Sequence, residues 1–390
     1  MKEFSKVKVL YPYPMKLSNG YTYMLSILQF LNSLSNYYEV ILLSLDKECE
    51  IKNYFKNILN VELNKNLKIV TISNKFFFLK SNKLFFFRNL KKYITNNHSS
   101  ERLLIYSRDL KQMRLCLKKL RKLNRISFAF EVHQILSENY KKKGEKDNAN
   151  KLERLERFVF GNADFLISIT KTLEIEIHNK YDSKARLIVL PVGFNKDFLL
   201  AKKNQIDADV IYTGNFSDWK GLDTLIEAVS IIKYTHNKNI RVKLIGARKG
   251  DQIKYIEICK KFNVSDLIDI VPRMAHKKIL HFLESSLIGV LPNKYLDDGA
   301  LYTSPLKLYE YLGAGLKVVA SRLPSIESNI SDSLVYFFEP ENPSDLAEKI
   351  IYALSDQNFD KHIVQTFARN FTWEARAEKF YFFINENLNN

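Results

Sequence analysis

Short, predominantly apolar segments recur along the whole chain, and helical segments separate most of them. Examples are VILLSL at residues 40–45, LLIYSR at 103–108, IGVLP at 288–292 and KVVAS at 317–321. A strand that is apolar on both faces has to be buried on both faces, as in a parallel sheet that helices cover. The pattern therefore predicts an α/β fold made of doubly wound parallel sheets.

The length of the chain and one polar segment predict two domains. A chain of 390 residues is too long for a single hydrophobic core of ordinary size. The polar and irregular segment PVGFNKDFLLAKKNQIDAD, residues 191–209, interrupts the alternation of strands and helices. We therefore expect one domain over residues 1–190 and a second over residues 191–370.

Several candidate ligand-binding residues follow predicted strands. His133, Gly214 and Gly246 each come directly after one, and Ser304 lies one loop beyond IGVLP. Ligands of open α/β sheets bind outside the carboxyl ends of the strands. We therefore expect these residues to face one cleft between the two domains.

Residues 304–321, SPLKLYEYLGAGLKVVAS, have the pattern of an anion site at the start of a helix. Ser304 suits the N-cap and Pro305 the first helical position, and Gly313 or Gly315 can end the helix. The first amides of such a helix have no internal partner and favour a phosphate. Glu310 shares a face with Leu306 and Lys307, where it could meet a sugar hydroxyl. A capped surface helix without a ligand is the open alternative.

Residues 210–221, VIYTGNFSDWKG, form a second candidate phosphate site. A short strand leads into a tight turn at Gly214, and Lys220 and Gly221 then stand at the start of an amphipathic helix. The segment is not a Walker loop, because the chain has no GxxxxGK[ST] motif. Two such sites about ninety residues apart suggest two walls of one diphosphate pocket.

These two segments, in this order and spacing, resemble the C-terminal half of glycosyltransferase family 4, the retaining nucleotide-sugar enzymes of the GT-B fold. The segments DFLISIT (164–170), LIVLPVGFNKDF (187–198) and FTWEARAEKF (371–380) are similar to further parts of that family, and 304–321 is similar to its SPLK-type subset. The resemblance implies an acceptor-binding Rossmann-like domain at 1–190, a nucleotide-sugar-binding one at 191–370, and a helix at 371–390 that returns to the first domain.

The resemblance also implies roles for single positions. Lys220 would contact the donor diphosphate, Glu310 the nucleotide ribose, and His133 the transferred sugar and the acceptor, so these three are the catalytic candidates. The remaining candidate donor-binding positions line the phosphates or the base: Gly20, Gly214, Asn215, Arg273, Met274, Ser304, Leu306 and Lys307.

His133 has two interpretations. A lone histidine after an apolar strand is more often structural than catalytic, whereas its place in the family pattern favours a role in the reaction. In a regular strand Glu131 and His133 lie on the same face, so Glu131 could orient the ring or contact an acceptor. His178, His276 and His281 have the spacing of helix-surface residues, and we expect no role for them.

Two positions depart from the family pattern. Asn215 stands where the family often has an arginine, and Tyr302 where it has the first of two glutamates. Asp297 or Asp298 could replace that glutamate. The two departures favour an alternative, a catalytically degenerate GT-B scaffold that acts as a membrane adaptor or partner subunit. A GT-B nucleotide-sugar epimerase is a further alternative.

The positive charge is concentrated in the first domain. Residues 1–190 hold 35 Lys and Arg against 18 Asp and Glu, and residues 51–125 hold 19 against 3. Such a field points to a large anionic partner. In KFFFLKSNKLFFFRNLKKY, residues 75–93, aromatic and basic residues alternate as at a membrane interface. The alternative is that the phenylalanines belong to the core. No nucleic-acid-binding motif accompanies the charge.

The composition favours a cytosolic protein. There is no signal-peptide pattern, no run of 18 apolar residues, and only three scattered cysteines without disulfide or zinc spacing. No DxD-like pair follows a strand, so we expect catalysis without a metal or another cofactor. We also expect residues 141–150, KKKGEKDNAN, to form a polar loop.

Together these features predict a retaining glycosyltransferase at the cytoplasmic face of the membrane. The donor would be a UDP- or GDP-sugar, and the acceptor a hydroxyl of a lipid-linked, lipopolysaccharide-type or capsule-type glycan.

Overall fold

The computed structural model describes residues 6–17, 22–59, 61–74, 83–123, 125–202, 204–295 and 302–388. Gly20, Asp297 and Asp298 lie outside the described residues. The chain divides into two compact units. The N-terminal unit comprises Met1–Val192 and Trp373–Asn390, and the C-terminal unit comprises Gly193–Thr372.

The N-terminal unit is built on a seven-stranded sheet whose neighbouring strands are all parallel. Its strands are β1 (Val7–Pro12), β2 (Val40–Ser44), β3 (Leu67–Thr71), β4 (Arg102–Ser107), β5 (Ile126–Val132), β6 (Phe165–Ser168) and β7 (Arg186–Val189). Their order in the sheet is β3-β2-β1-β4-β5-β6-β7. The order in which the chain adds strands to the sheet reverses between β1 and β4. Sheets of this class bind ligands at that point.

Helices connect these strands. They are α1 (Thr22–Leu34), α2 (Glu48–Tyr54, followed by a π-helical turn Phe55–Leu59), α3 (Lys83–Asn97), α4 (Leu110–Leu120), α5 (Leu136–Lys142), α6 (Lys146–Asn162) and α7 (Lys171–Lys180). Two of them start at side-chain caps. Asp109 accepts a hydrogen bond from the backbone N–H of Gln112 (2.8 Å), and Thr170 accepts one from that of Leu173 (3.2 Å). Each cap satisfies an amide that the first helical turn leaves without a partner.

The C-terminal unit is built on a six-stranded sheet, again with parallel neighbours throughout. Its strands are β8 (Ala208–Thr213), β9 (Val242–Ala247), β10 (Ile268–Pro272), β11 (Ser286–Leu291), β12 (Lys317–Ser321) and β13 (Tyr336–Phe338), in the order β10-β9-β8-β11-β12-β13. The helices are α8 (Leu222–Thr235), α9 (Lys249–Lys261), α10 (Ile279–Glu284), α11 (Leu306–Gly313), α12 (Pro324–Glu327), α13 (Pro343–Ser355) and α14 (Lys361–Arg369). The order reverses between β8 and β11.

Both faces of this second sheet are buried, as the apolar strands predict. Along β8, Val210 and Tyr212 belong to one buried cluster together with Leu225 of α8. Ile211, between them, belongs to another cluster together with Leu308 of α11. Successive side chains of a strand point to opposite faces, so helices cover the sheet on both sides. The predicted fold of two doubly wound parallel sheets is confirmed.

The last helix, α15 (Trp373–Leu388), is part of the N-terminal unit although it follows the C-terminal unit in sequence. It packs against α1, and Phe30 of α1 lies 5.7 Å from Phe380 and 6.4 Å from Trp373 between ring centroids. The predicted return of the C-terminal helix to the first domain is confirmed.

The prediction of a polar loop over residues 141–150 is wrong. Helix α5 continues to Lys142 and α6 begins at Lys146, so only residues 143–145 connect two helices. Lysine and glutamate are good helix formers, and Ala149 lies on the buried face of α6. The polar composition of this segment therefore reflects the exposed faces of helices.

The segment of phenylalanines and lysines is described from residue 83 onward, where it forms α3. Phe86 and Phe87 are buried together with Leu90 and Ile94, so these two rings belong to the core and cannot insert into a membrane. Helix α3 packs against α4, and both helices carry exposed basic residues. We call five of these residues the basic surface: Arg88, Lys91, Lys92, Arg114 and Lys118. None of the helices in the described ranges combines the length and the hydropathy that crossing a bilayer requires.

The tight packing of the second sheet generates a stability prediction. A Cβ atom on Gly289 of β11 would overlap the Tyr311 ring, whereas a Cβ atom on the exposed Gly161 of α6 would meet nothing within 4 Å. We expect Gly289→Ala to lower the free energy of unfolding by about 1–3 kcal/mol. Gly161→Ala, the control, should leave it unchanged or raise it by up to about 1 kcal/mol. Urea unfolding followed by circular dichroism measures both, and equal effects would contradict the packing argument.

Candidate functional site

The turn after β8 is shaped so that a lysine can lie against it. Gly214 has φ +135°, a conformation that side chains rarely allow, and a Cβ atom there would overlap Cε and Nζ of Lys307. The ammonium of Lys307 lies 3.9 Å from the centroid of the Tyr212 ring. The glycine that the sequence places in this turn is therefore what lets Lys307 of α11 reach the end of β8.

Lys307 is a buried cation. Its Nζ is inaccessible to solvent and has no hydrogen-bond partner among the residues that the structure describes. Burial lowers the pKa of Lys307 to about 7, and the charge of Glu310 only partly opposes that effect. A buried ammonium without a hydrogen bond is unfavourable, and an anion bound beside it would remove the penalty.

Lys220 is a second buried cation, and it lies near the first. It ends the 3₁₀ turn Asp218–Lys220, is 8% exposed, and has its ammonium 3.2 Å from the Trp219 ring centroid. Burial lowers the pKa of Lys220 well below its ordinary value, and the positive charge of Lys307 lowers it further. Gly221, with φ +65°, then turns the chain into α8 against the carbonyl of Pro292. Two cations converge on the carboxyl ends of β8 and β11.

Glu310, on the same helix as Lys307, pairs with a histidine. Its Oε1 lies 2.6 Å from Nε2 of His276, and the carboxylate is buried. Burial lowers the pKa of His276, but the charge and hydrogen bond of Glu310 outweigh it and raise that pKa above its ordinary value. The expectation that His276 is a helix-surface residue is wrong. Its partner is 34 residues away in sequence, so local spacing cannot reveal the pair.

The start of α11 differs from the prediction by one residue. Pro305, not Ser304, occupies the N-cap position, with φ −75° and ψ 111°, and Leu306 is the first helical residue. A hydrogen bond joins the Ser304 and Tyr309 side chains, so Ser304 does not cap the helix. The predicted end is confirmed, because Gly315 has φ +74° and donates to the carbonyl of Leu312 (3.0 Å).

The remaining donor-site candidates have mixed surroundings. Asn215 is exposed and its Oδ1 accepts hydrogen bonds from N and Oγ of Ser217, so it shapes the turn and supplies no cation. Arg273 is exposed after β10 and its N–H donates to the carbonyl of Ala247 (3.0 Å), while Met274 is half-buried against the core that also receives Leu306. Tyr302 is buried. The roles that the resemblance implies for these residues stay predictions.

Tyrosine side chains that sequence reasoning missed fix the geometry around the cations. The hydroxyl of Tyr311 accepts a hydrogen bond from the N–H of Thr213 (2.8 Å), which ties α11 to the last residue of β8. The hydroxyl of Tyr212 donates to the carbonyl of Asn215 (2.6 Å). The sequence shows both tyrosines, in IYTG and YEY, but it does not show their hydrogen-bond partners. The partner of Tyr311 lies on another element, and that of Tyr212 lies in a turn.

The N-terminal unit contains a different cluster, centred on His133. Nε2 of His133 lies 2.6 Å from Oε1 of Glu131, and Oε2 of Glu131 lies 3.1 Å from Nη2 of Arg376. Burial would raise the pKa of Glu131, but Arg376 and His133 lower it to about 2. Burial and the charges of Arg108 and Arg376 together lower the pKa of His133 more than Glu131 raises it. The prediction that Glu131 and His133 share a face and that Glu131 can orient the ring agrees with this contact.

Arg376 was missed in the sequence. It lies three residues after Trp373 on the buried face of α15, so the signal was a charged residue at a core position of an amphipathic helix. Together with Glu131 and His133 it lines a cavity of the N-terminal unit, along with Tyr11, Tyr106 and Arg108.

His133 thus belongs to the N-terminal unit, and the other described candidates belong to the C-terminal unit. Within the described residues there is no group of three or more His, Cys, Asp or Glu side chains that could hold a metal ion. The expectation of catalysis without a metal stays a prediction, as does the role of Gly20.

Both the sequence and the fold are similar to those of known proteins. Residues 196–369 match the model of the family "Glycosyl transferases group 1". Over 103 residues the chain is 31% identical to TuaH of Bacillus subtilis (strain 168), whose name assigns it to teichuronic acid biosynthesis as a glycosyltransferase. This match spans only a quarter of each chain.

The fold is similar to solved glycosyltransferase structures over nearly the whole chain. A glycosyltransferase from Rickettsia africae ESF-5 has TM-score 0.72 at 15% identity, covering 99% of this chain and 100% of that one. Anabaena Alr3699/HepE in complex with UDP has TM-score 0.72 at 14% identity, covering 98% and 99%. WaaG, a glycosyltransferase involved in lipopolysaccharide biosynthesis, has TM-score 0.63 at 13% identity, covering 96% and 98%. Family 4 in particular stays a prediction, but the chain has the GT-B fold, and its residues 196–369 match the glycosyl transferases group 1 family.

Proposed function

We propose that this protein is a retaining glycosyltransferase that moves a sugar from a nucleotide diphosphate sugar to a hydroxyl group of a glycan acceptor. The observation that carries the proposal is the pair of buried ammonium groups, Lys220 and Lys307, at the carboxyl ends of β8 and β11. Breaking a sugar–phosphate bond leaves negative charge on the departing diphosphate. Buried cations stabilise that charge more strongly than exposed ones, because little water screens them.

The donor fits this arrangement. Anabaena Alr3699/HepE has been solved with UDP and with UDP-glucose, which supports a UDP-sugar here, with a GDP-sugar as the other option. In the proposal Lys220 and Lys307 bind the diphosphate, and Glu310, held by His276, binds a ribose hydroxyl. Positive charge from lysine takes the place that a divalent metal occupies in other transferases.

The acceptor side is proposed for the N-terminal unit. His133 lines a cavity there, and a ring with a lowered pKa is neutral at pH 7 and can accept a hydrogen bond from a sugar hydroxyl. The acceptor in the proposal is a lipid-linked, lipopolysaccharide-type or capsule-type glycan at the cytoplasmic membrane surface. The names of TuaH and WaaG and the exposed basic residues of α3 and α4 support it.

A degenerate scaffold is the second candidate function. Asn215 supplies no cation, and Tyr302 replaces a glutamate of the family pattern. The burial of Lys307 argues against this candidate, because a buried ammonium without an anion beside it is unfavourable. A protein that no longer bound a donor would become more stable if another residue replaced Lys307.

Removing either donor-site charge tests the proposed function. We expect Lys220→Met to lower nucleotide release from the preferred donor by at least about 100-fold, since one charged contact to the leaving group is lost. Glu310→Gln should weaken UDP binding by about tenfold or more, because a charged hydrogen-bond acceptor becomes neutral. Donor turnover and calorimetric UDP binding measure the effects. The control is Lys260→Met, at an exposed lysine of α9. Full activity in both variants would contradict this assignment of the pocket.

Proton uptake on binding provides a second test. The pKa of Lys307 is about 7 in the free protein, so at pH 8 its amine is mostly neutral. A bound diphosphate, fully ionised at pH 8, raises that pKa, so binding takes up protons and the affinity falls as the pH rises. Calorimetry of UDP binding in HEPES and in Tris measures the uptake. Lys307→Met should take up fewer protons than the wild type, and unchanged uptake would rule out Lys307 as a diphosphate ligand.

Membrane binding is tested with the basic surface. Each basic residue near an anionic leaflet contributes about 1 kcal/mol, so the Lys91→Ala, Lys92→Ala, Lys118→Ala triple variant should bind phosphatidylglycerol vesicles roughly 100-fold more weakly. A control variant removes three exposed lysines of α9, Lys249, Lys260 and Lys261. Vesicle flotation at two salt concentrations measures binding. Equal losses in both variants would argue against docking through α3 and α4.

A further inference from the structure

Arg376 is a buried cation with several polar partners. It is 3% exposed and pairs with Oε2 of Glu131 at 3.1 Å. Its Nε donates to the carbonyl of Pro191 (2.9 Å) and its Nη2 to that of Leu190 (3.3 Å). The guanidinium also lies 4.3 Å from the centroid of the Phe30 ring. These contacts fix the side chain in one orientation.

This orientation decides the charge of Glu131. The carboxylate is 7% exposed, and burial alone would favour its protonated form. The guanidinium is the largest influence in the other direction, so Glu131 is ionised at neutral pH. A side chain on the last helix of the chain thus sets the charge of a residue on β5.

The charge of Glu131 in turn decides which nitrogen of His133 carries the hydrogen. An ionised carboxylate only accepts hydrogen bonds, so the 2.6 Å contact between Oε1 and Nε2 has the hydrogen atom on Nε2. The pKa of His133 is lowered, so the ring carries no second proton at neutral pH. Nδ1 is then the unprotonated nitrogen and can accept a hydrogen bond.

We propose that Arg376 is a positioning residue which, by pairing with Glu131, holds His133 as a neutral ring with Nε2 protonated and Nδ1 as the acceptor for a substrate hydroxyl. The identity of that hydroxyl rests on the proposed function, since it belongs to the sugar or to its acceptor. The arrangement of Arg376, Glu131 and His133 itself does not depend on it.

Other charged and titratable groups face His133. Arg108, which follows β4, carries a positive charge that lowers the pKa of His133. Tyr11 of β1 stays neutral because burial raises its pKa far above its ordinary value. Glu156 of α6 lines a neighbouring cavity with His133, and burial raises its pKa while Ser137 and Tyr181 hold it by hydrogen bonds.

The proposal is tested by nitrogen NMR of the full-length protein labelled with ¹⁵N-histidine. The His133 signals are identified by their loss in His133→Gln. We expect the wild-type ring at pH 7 to show the Nε2-protonated neutral tautomer and to titrate below the ordinary pKa of histidine. In Arg376→Met, which keeps the length of the side chain, the titration midpoint should rise by about one pH unit, because the removed charge no longer disfavours protonation of the Glu131–His133 pair.

Two further variants keep the test decisive. Arg376→Lys retains the charge, and its midpoint should stay within about 0.3 pH units of the wild type. Glu131→Gln leaves the carbonyl contacts of Arg376 in place, and His133 should lose its fixed tautomer. An unchanged midpoint in Arg376→Met would reduce Arg376 to a packing residue and overturn the proposal, and so would an unchanged tautomer in Glu131→Gln. If Arg376→Met does not fold, Arg376→Gln, which also removes the charge, takes its place.

The kinetic readout separates this inference from the proposed function. Arg376→Met should lower kcat of nucleotide release at least tenfold while its Kd for UDP stays within about twofold, because the proposed diphosphate ligands lie in the other unit. A loss of UDP affinity equal to the loss of kcat would indicate a general structural effect and overturn the positioning role. If the wild type transfers no sugar from any donor, the proposed function fails, and the NMR result still decides the inference.

Discussion

The C-terminal unit depends on the burial of two ammonium groups at the end of its sheet. Lys220 and Lys307 are both shielded from water. Burial lowers the pKa of each, and the charge of Lys307 lowers the pKa of Lys220 further. Such an arrangement is unfavourable in an empty protein and favourable beside a polyvalent anion. The two lysines lie at the point where the strand order reverses, and in the proposed function a bound diphosphate offsets the cost of burying their charges.

Glycines are what make this burial geometrically possible. At Gly214 any side chain would displace Lys307, and at Gly246, with φ +120°, it would collide with the Gly214 backbone. Gly221 lets the chain pass the carbonyl of Pro292 on its way into α8. These three positions have backbone conformations that glycine adopts without strain. These three positions therefore require glycine because neighbouring atoms approach the backbone closely, not because the chain has to be flexible there.

The sequence predicted the parts of the site that are local. The turn at Gly214, the lysine before α8, the helix after Pro305 and the strand repeat all follow from spacing within about fifteen residues. It could not predict the pairs that join distant segments, such as His276 with Glu310 or Arg376 with Glu131. Composition also misled: the lysines of residues 141–150 indicated a loop, whereas they cover the exposed faces of α5 and α6. Phe86 and Phe87 were ambiguous between membrane and core until α3 showed them buried.

The buried ion pair of Arg376 and Glu131 is hard to explain by stability alone. Apolar residues of similar volume in place of a buried ion pair are often neutral or stabilising, because desolvation offsets much of the attraction. Arg376 lies near Phe30 and on the buried face of α15 that also carries Phe380. A methionine or leucine at this position would pack there and would need no charged partner. What an apolar pair cannot do is hold a negative charge 2.6 Å from Nε2 of His133. The presence of the charged pair is therefore better explained by its effect on that ring than by its contribution to packing.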